Sequence, residues 1–125
     1  MKYDEFITSV AERAGLAREE AESLTRASLR VLAARLSGGE AEDLRAQLPK
    51  QLQDELAPPQ QNAQAFGADE FARRVADDVG SNEADAAGAV VAVLVTLRDA
   101  VTPGEFDDVL SQLGREFVEL TNADK

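Results

Sequence analysis

One phrase occurs twice in this chain, as LSGGEAEDLRAQL at Leu36–Leu48 and as VTPGEFDDVLSQL at Val101–Leu113. In both copies a hydroxyl residue lies three positions before a glutamate: Ser37 before Glu40, and Thr102 before Glu105. This spacing is typical of a capping box, in which the hydroxyl accepts a backbone N–H bond and the glutamate reaches back to the N-cap N–H. The phrase therefore predicts the start of a helix in each copy.

The recurrence extends over most of the chain. Sliding the sequence by 65 positions aligns residues 4–48 with residues 69–113 without a gap, and fifteen of the paired residues are identical. Such self-similarity indicates units with the same structure. We therefore expect helical repeat 1 at 1–56, a linker at 57–65 and helical repeat 2 at 66–125, with both repeats in one compact domain. The linker contains two prolines and several glutamines, which favour a loop.

The first helix of each repeat has apolar residues at helical spacing and ends before a glycine, Gly15 or Gly80. Glycine adopts the left-handed conformation of a helix C-terminus without strain. A second helix is predicted at about 17–36 and 82–101. Asn82 is a good N-cap for this helix, whereas Ala17 is a poor one.

The second helix of repeat 2 is apolar on every side between Ala86 and Leu97. Its valines alone favour a buried strand, but the ungapped alignment with an amphipathic helix of repeat 1 favours a buried helix. Such a helix must be covered by repeat 1 or by a second chain. The third helices begin at the repeated phrase, and short fourth helices follow Pro49 and Gly114. The predicted fold is all-α, two tandem repeats of three to four helices packed as one helical bundle.

Three stretches of repeat 1 resemble a known family: YDEFITSVAERAG, REEAE and LSGGEAEDLRAQLPKQL. They are similar to the prokaryotic family catalogued as domain of unknown function 2267, and the resemblance runs from Tyr3 to about Leu120. It implies an all-helical, duplicated fold in a small prokaryotic protein with no assigned activity. The second copy departs from the pattern at Gly114, where the first has Pro49.

Composition excludes several classes of function. The chain has no cysteine and no histidine, which excludes thiol catalysis, iron–sulfur ligation and zinc-thiolate sites. A net charge of −11 disfavours nucleic acid and anionic lipid as partners. The first ten residues, MKYDEFITSV, lack the apolar core of a signal peptide, and the longest apolar run is too short to span a membrane. We expect a soluble cytoplasmic protein.

Few side chains are candidates for chemistry, and each has a structural interpretation. The acidic clusters are interpreted as solvated helix faces, Gly38-Gly39 as a helix start, and Arg73-Arg74 as surface residues paired with aspartates one turn later. For Gln47 and Gln112, bonding to loop backbone is favoured over ligand binding. The acidic clusters are Glu19-Glu20-Glu22, Asp77-Asp78 and Asp107-Asp108. We predict no catalytic residue, no cofactor and no metal site, because the carboxylates are expected to lie apart.

Two functions remain open on the sequence alone. The first is a non-enzymatic protein-interaction module, with a role in stress physiology as one option, that acts through an apolar surface or as a homodimer. The alternative is a small-molecule-binding protein with a pocket between the two repeats. An enzyme is disfavoured because the carboxylates, arginines, lysines, hydroxyls and single tyrosine form no recognisable catalytic set.

Overall fold

The computed structural model describes residues 1–56 and 63–122. Over these ranges it contains eight α-helices and no strand, so the predicted all-α bundle is confirmed. The helices are α1 (Tyr3–Ala14), α2 (Arg18–Arg35), α3 (Gly38–Gln47), α4 (Lys50–Gln53), α5 (Ala68–Val79), α6 (Glu83–Ala100), α7 (Pro103–Leu113) and α8 (Arg115–Asn122). A 3-10 turn, Asp54–Leu56, follows α4. Most of the predicted linker, 57–62, lies outside the described residues.

The helices of the two halves of the chain have matching bounds. Helices α1 and α5 both contain 12 residues, and α2 and α6 both contain 18. Each later helix of these pairs starts 65 residues after the earlier one, as α7 does after α3. We call α1–α4 the first half and α5–α8 the second half, and residues 65 positions apart are corresponding positions.

The helix ends follow the local sequence. Gly15 and Gly80 both adopt the left-handed conformation, with φ of 68° and 69°, and they end α1 and α5 as predicted. The Asn82 side chain accepts a hydrogen bond of 2.7 Å from the Asp85 N–H at the start of α6. Ala17, at the start of α2, has no side-chain cap.

The four long helices α1, α2, α5 and α6 form the centre of the fold. Helix α6 packs against α1 and α2 of the first half as well as α5, and α2 also packs against α5. Half of the residues of α6 are buried, including Val93, Leu94 and Leu97. The apolar segment is therefore a helix, which the first half and α5 cover on most sides, but Ala87 and Val91 are not buried, so the helix is not enclosed all round.

Helix α2 is more deeply buried than its sequence indicates. Helical spacing places Glu22 and Arg26 on the face of α2 that is predicted to meet water, but both are partly buried at the contact with α1 and the 3-10 turn. Arg35 is only 8% exposed and donates hydrogen bonds to the carbonyl oxygens of Leu113 and Gln64. Burial lowers the pKa of the Arg35 guanidinium. Contacts with distant parts of the chain thus bury a face of α2 that helical periodicity alone predicts to be exposed to solvent.

Among the described residues, no helix has both the length and the apolar character needed to cross a lipid bilayer. Helix α6 is the most apolar of the described helices, and most of its apolar side chains pack against other helices of the chain.

A fragment containing only residues 66–125 should self-associate or be poorly soluble, while the full chain should unfold in one transition. The reason is that α1 and α2, which cover α6, would be missing. Thermal unfolding followed by circular dichroism, with sedimentation velocity of the fragment, tests this. A monomeric, fully helical fragment would contradict it.

Candidate functional site

Two glutamines each cap the start of a helix in the opposite half, an arrangement that we call the exchange of helix caps. Gln47 of α3 accepts a bond from the Thr102 backbone N–H at 2.8 Å, and its Nε2 lies 3.5 Å from the Thr102 hydroxyl. In the reverse direction, Gln112 of α7 accepts from the Ser37 N–H at 2.8 Å and donates to the Ser37 hydroxyl at 3.1 Å. The glutamines bond loop backbone, as predicted. That the loop belongs to the opposite half was not apparent from the sequence.

This exchange changes the capping boxes. The Ser37 and Thr102 hydroxyls accept the N–H groups of Glu40 and Glu105 at 3.3 and 3.2 Å, so the predicted N-caps are confirmed. The prediction that the two glutamates reach back to their own N-cap N–H groups is wrong, because the glutamines occupy those donors. Both glutamate side chains turn inward instead, and each residue is 8% exposed.

Glu40 and Glu105 form a buried carboxyl pair where α3 packs against α7. Burial, a side-chain hydrogen bond to Glu105 and the negative charges of Glu105, Asp108 and Asp43 raise the pKa of Glu40 to about 8. The Oε2 atoms of both glutamates are buried and find no donor among the described groups. With its pKa raised, Glu40 keeps its proton at neutral pH, and a protonated carboxyl can donate a hydrogen bond to Glu105. The pair is therefore a proton-holding contact between the halves.

The pair is placed poorly for chemistry on a substrate. Both glutamates are almost fully buried, so a substrate would have to separate α3 from α7 to reach them. Asp43 and Asp108 are exposed above the pair and add negative potential. The carboxylates were expected to lie apart, and Glu40 and Glu105 are the exception, because the structure joins them as a pair. Residues 1–56 and 63–122 contain no group of three or more acidic side chains placed to hold a metal ion.

The other candidates from the sequence do not come together. The acidic clusters lie on three different helices, with Glu19 and Glu20 exposed on α2, Asp77 on α5 and Asp107 on α7. Gly38-Gly39 begins α3. The predicted pairing of Arg73 and Arg74 with later aspartates is wrong. Both arginines bind Glu70, at 2.8 and 2.9 Å. Asp78 pairs instead with Arg30 of the first half at 2.9 Å.

A groove of about 350 Å³ lies between α5, α6 and α8 in the second half. Its walls carry small and apolar side chains, and two carboxylates lie at its rim. The wall residues include Ala68, Ala87, Val91 and Leu120, and the rim residues are Asp69 and Glu83. We call this feature the second-half groove. It escaped the sequence analysis because alanine and valine on a helix ordinarily indicate core.

The corresponding space in the first half is filled by a polar network. The positions of the four wall residues are occupied there by Tyr3, Glu22, Arg26 and Glu55. The Tyr3 hydroxyl bonds Glu22 and accepts from Arg26 at 3.2 Å. Arg26 also pairs with Glu55 at 2.9 Å and lies over the Tyr3 ring, 5.5 Å from its centroid. The second half has two alanines, a valine and a leucine at these positions, which fill less space and leave the groove.

A family model described as "Uncharacterized conserved protein (DUF2267)" matches residues 3–120. The chain belongs to the DUF2267 family. This confirms the resemblance drawn from YDEFITSVAERAG, REEAE and LSGGEAEDLRAQLPKQL. None of the curated proteins matches the chain.

The carboxyl pair should make stability fall as pH rises from about 5 to about 8. In this window the folded protein keeps a proton that the unfolded chain, with an ordinary glutamate pKa of 4.5, releases. Glu40→Gln keeps a hydrogen-bond donor toward Glu105 and removes the titration. We expect the difference in unfolding free energy between the variant and the wild type to rise by on the order of 2 kcal/mol in favour of the variant as the pH rises from 5.5 to 8.5, measured by urea unfolding.

The control for this experiment is Glu42→Gln, which removes an exposed carboxylate from the same helix. Its stability difference from the wild type should change little with pH. Parallel pH profiles for the wild type and Glu40→Gln would contradict the proton retained on Glu40. A saturable, stoichiometric stabilisation of the wild type by Ca²⁺ at constant ionic strength would instead contradict the prediction that the chain has no metal site.

Gln47→Ala should destabilise the protein by about 1 kcal/mol, because the Thr102 N–H loses its acceptor at the helix start. The control is Gln51→Ala, whose side chain is exposed in α4. Urea unfolding of both variants measures the difference. Equal effects of the two substitutions would mean that the exchanged caps contribute nothing to stability.

Proposed function

We propose that this protein is a non-enzymatic interaction module that binds a protein partner through the second-half groove. One observation carries the proposal: the space that Tyr3 and Arg26 fill in the first half is left open in the second. In the first half this space holds an aromatic ring and a neighbouring guanidinium group, so the open space in the second half fits groups of the same kind. A partner's side chains are the same kind of group, which favours a protein over a small metabolite.

The size of the groove supports this type of occupant. Its volume of about 350 Å³ is near the lower end of the range for ligand sites, which is about 300–1,000 Å³. Such a volume accepts one or two side chains, as interface pockets do for anchor residues. Among the described residues, Met1 is the only large apolar side chain that is well exposed. The groove is thus the apolar feature best suited to recognition.

The buried acid pair supports the non-enzymatic part of the proposal. Glu40 has a pKa raised into the range useful for proton transfer, but its burial at the α3–α7 contact keeps it from substrates. The proton on Glu40 has a structural role, because it removes the repulsion between two carboxylates at the α3–α7 contact.

The alternative function, small-molecule binding between the halves, has a candidate location of its own. A shallow cleft of about 430 Å³ lies between the start of α2 and the α5–α6 connection. Glu19, Glu20 and Asp85 contribute carboxylates to it, and Ser81 and Asn82 contribute further polar groups. Small-molecule sites are usually apolar with few polar groups, so this cleft supports the alternative less well than the groove supports protein binding.

A peptide-display selection on the full-length chain tests the proposed function. The matched target is a groove-filled variant that carries the first-half residues: Ala68→Tyr, Ala87→Glu, Val91→Arg and Leu120→Glu. Helicity and melting temperature establish that this variant folds. A second control, Ala46→Glu, makes the same net charge change at an exposed position of α3.

We expect selected peptides to bind the wild type and Ala46→Glu equally and to bind the groove-filled variant at least tenfold more weakly. If the groove-filled variant does not fold, Val91→Arg alone replaces it. Recovery of no peptide, or of peptides that bind all the proteins equally, would reject the groove as the interaction site.

A further inference from the structure

Two carboxylates that form no ion pair with the described residues lie at the rim of the second-half groove. Asp69 and Glu83 are both exposed there, at the starts of α5 and α6. Among the described residues, no lysine or arginine forms an ion pair with either of them. Two like charges at one rim raise the local negative potential, which favours a cation.

The first half contains its own cation at the corresponding place. Arg18 corresponds to Glu83, and it pairs with Asp4 at 2.6 Å and with Glu22 at 3.7 Å. Asp4 corresponds to Asp69, so the acidic residue is present in both halves while the basic one is present only in the first. The second half therefore lacks both guanidinium groups, those of Arg18 and Arg26, that line this site in the first.

We propose that the partner's binding segment presents an arginine or lysine beside the aromatic or aliphatic side chain that enters the second-half groove. This inference rests on the proposed function and names the chemistry of its partner. The apolar side chain takes the place that Tyr3 occupies in the first half. The cationic group takes the place of Arg18 and pairs with Asp69 and Glu83 at the rim.

The occupant is a segment of another protein, and charge complementarity favours it over a second copy of this chain. The chain carries a net charge of −11, so two copies repel one another, whereas a basic segment is attracted. The pairing with Asp69 and Glu83 is exposed to solvent, so it contributes selectivity and depends on salt, while the apolar contact contributes most of the affinity.

Matched dipeptides test the cation directly. Acetyl-Phe-Arg-amide and acetyl-Phe-citrulline-amide have nearly the same shape, but only the first is charged. Each is titrated into ¹⁵N-labelled full-length protein at low ionic strength, and chemical shift changes at Ala87 and Val91 report binding in the groove. The protein variants are Asp69→Asn/Glu83→Gln and, as a control for charge removed from other helices, Glu42→Gln/Asp107→Asn.

We expect the arginine peptide to bind about three- to fivefold more tightly than the citrulline peptide. Asp69→Asn/Glu83→Gln should remove this difference, and Glu42→Gln/Asp107→Asn should retain it. Equal affinity of the two peptides in the groove would contradict the proposed cationic group of the partner but would leave the proposed function standing. Absence of groove shifts with both peptides would overturn both. If the chemical shifts of Ala87 and Val91 change with protein concentration when no peptide is present, a second copy of the chain is the occupant, and the proposal of a basic partner is wrong.

Discussion

The contact between α3 and α7, one of the places where the two halves meet, depends on an exchange of helix caps. Each half places one glutamine, Gln47 or Gln112, on the N-cap of the other half's third helix. Because these side chains occupy the N-cap N–H groups, Glu40 and Glu105 have no local partner and turn toward each other. A proton between the carboxyls then offsets the cost of burying two acids. A local capping motif has become a contact between halves.

The same framework carries different surfaces on its two halves. The corresponding long helices have equal lengths, yet the first half closes the space beside α1 and α2 with a tyrosine, an arginine and two glutamates. The second half has alanines, a valine and a leucine there, and a groove results. Positions at the edge of a shared core can differ between the halves, since substitutions there usually cost less stability than substitutions inside the core. In our proposal, this difference is where recognition is located.

Local sequence was a good guide to the helices and a poor guide to what their polar side chains do. Gly15, Asn82 and Thr102 act at helix ends as predicted, because caps depend on neighbours within four residues. Arg35 was not recognised as a buried residue. It bonds the Leu113 carbonyl at the end of α7, 78 positions away, and no periodicity within α2 indicates that contact. The groove was missed for a related reason, since small apolar residues have the same appearance in a core and in an open depression.

The sequence by itself determined the all-α class, the positions of most helix ends and the correspondence between residues 65 positions apart. These properties follow from local backbone chemistry and from hydrophobic spacing, both of which depend on residues close together in the sequence. Only the tertiary structure decided that Glu40 meets Glu105, that α6 is covered by α1 and α2, and that Ala87 and Val91 face a groove. Those outcomes depend on how helices far apart in sequence pack. Packing is set by the shapes of all the faces together, which no single segment contains.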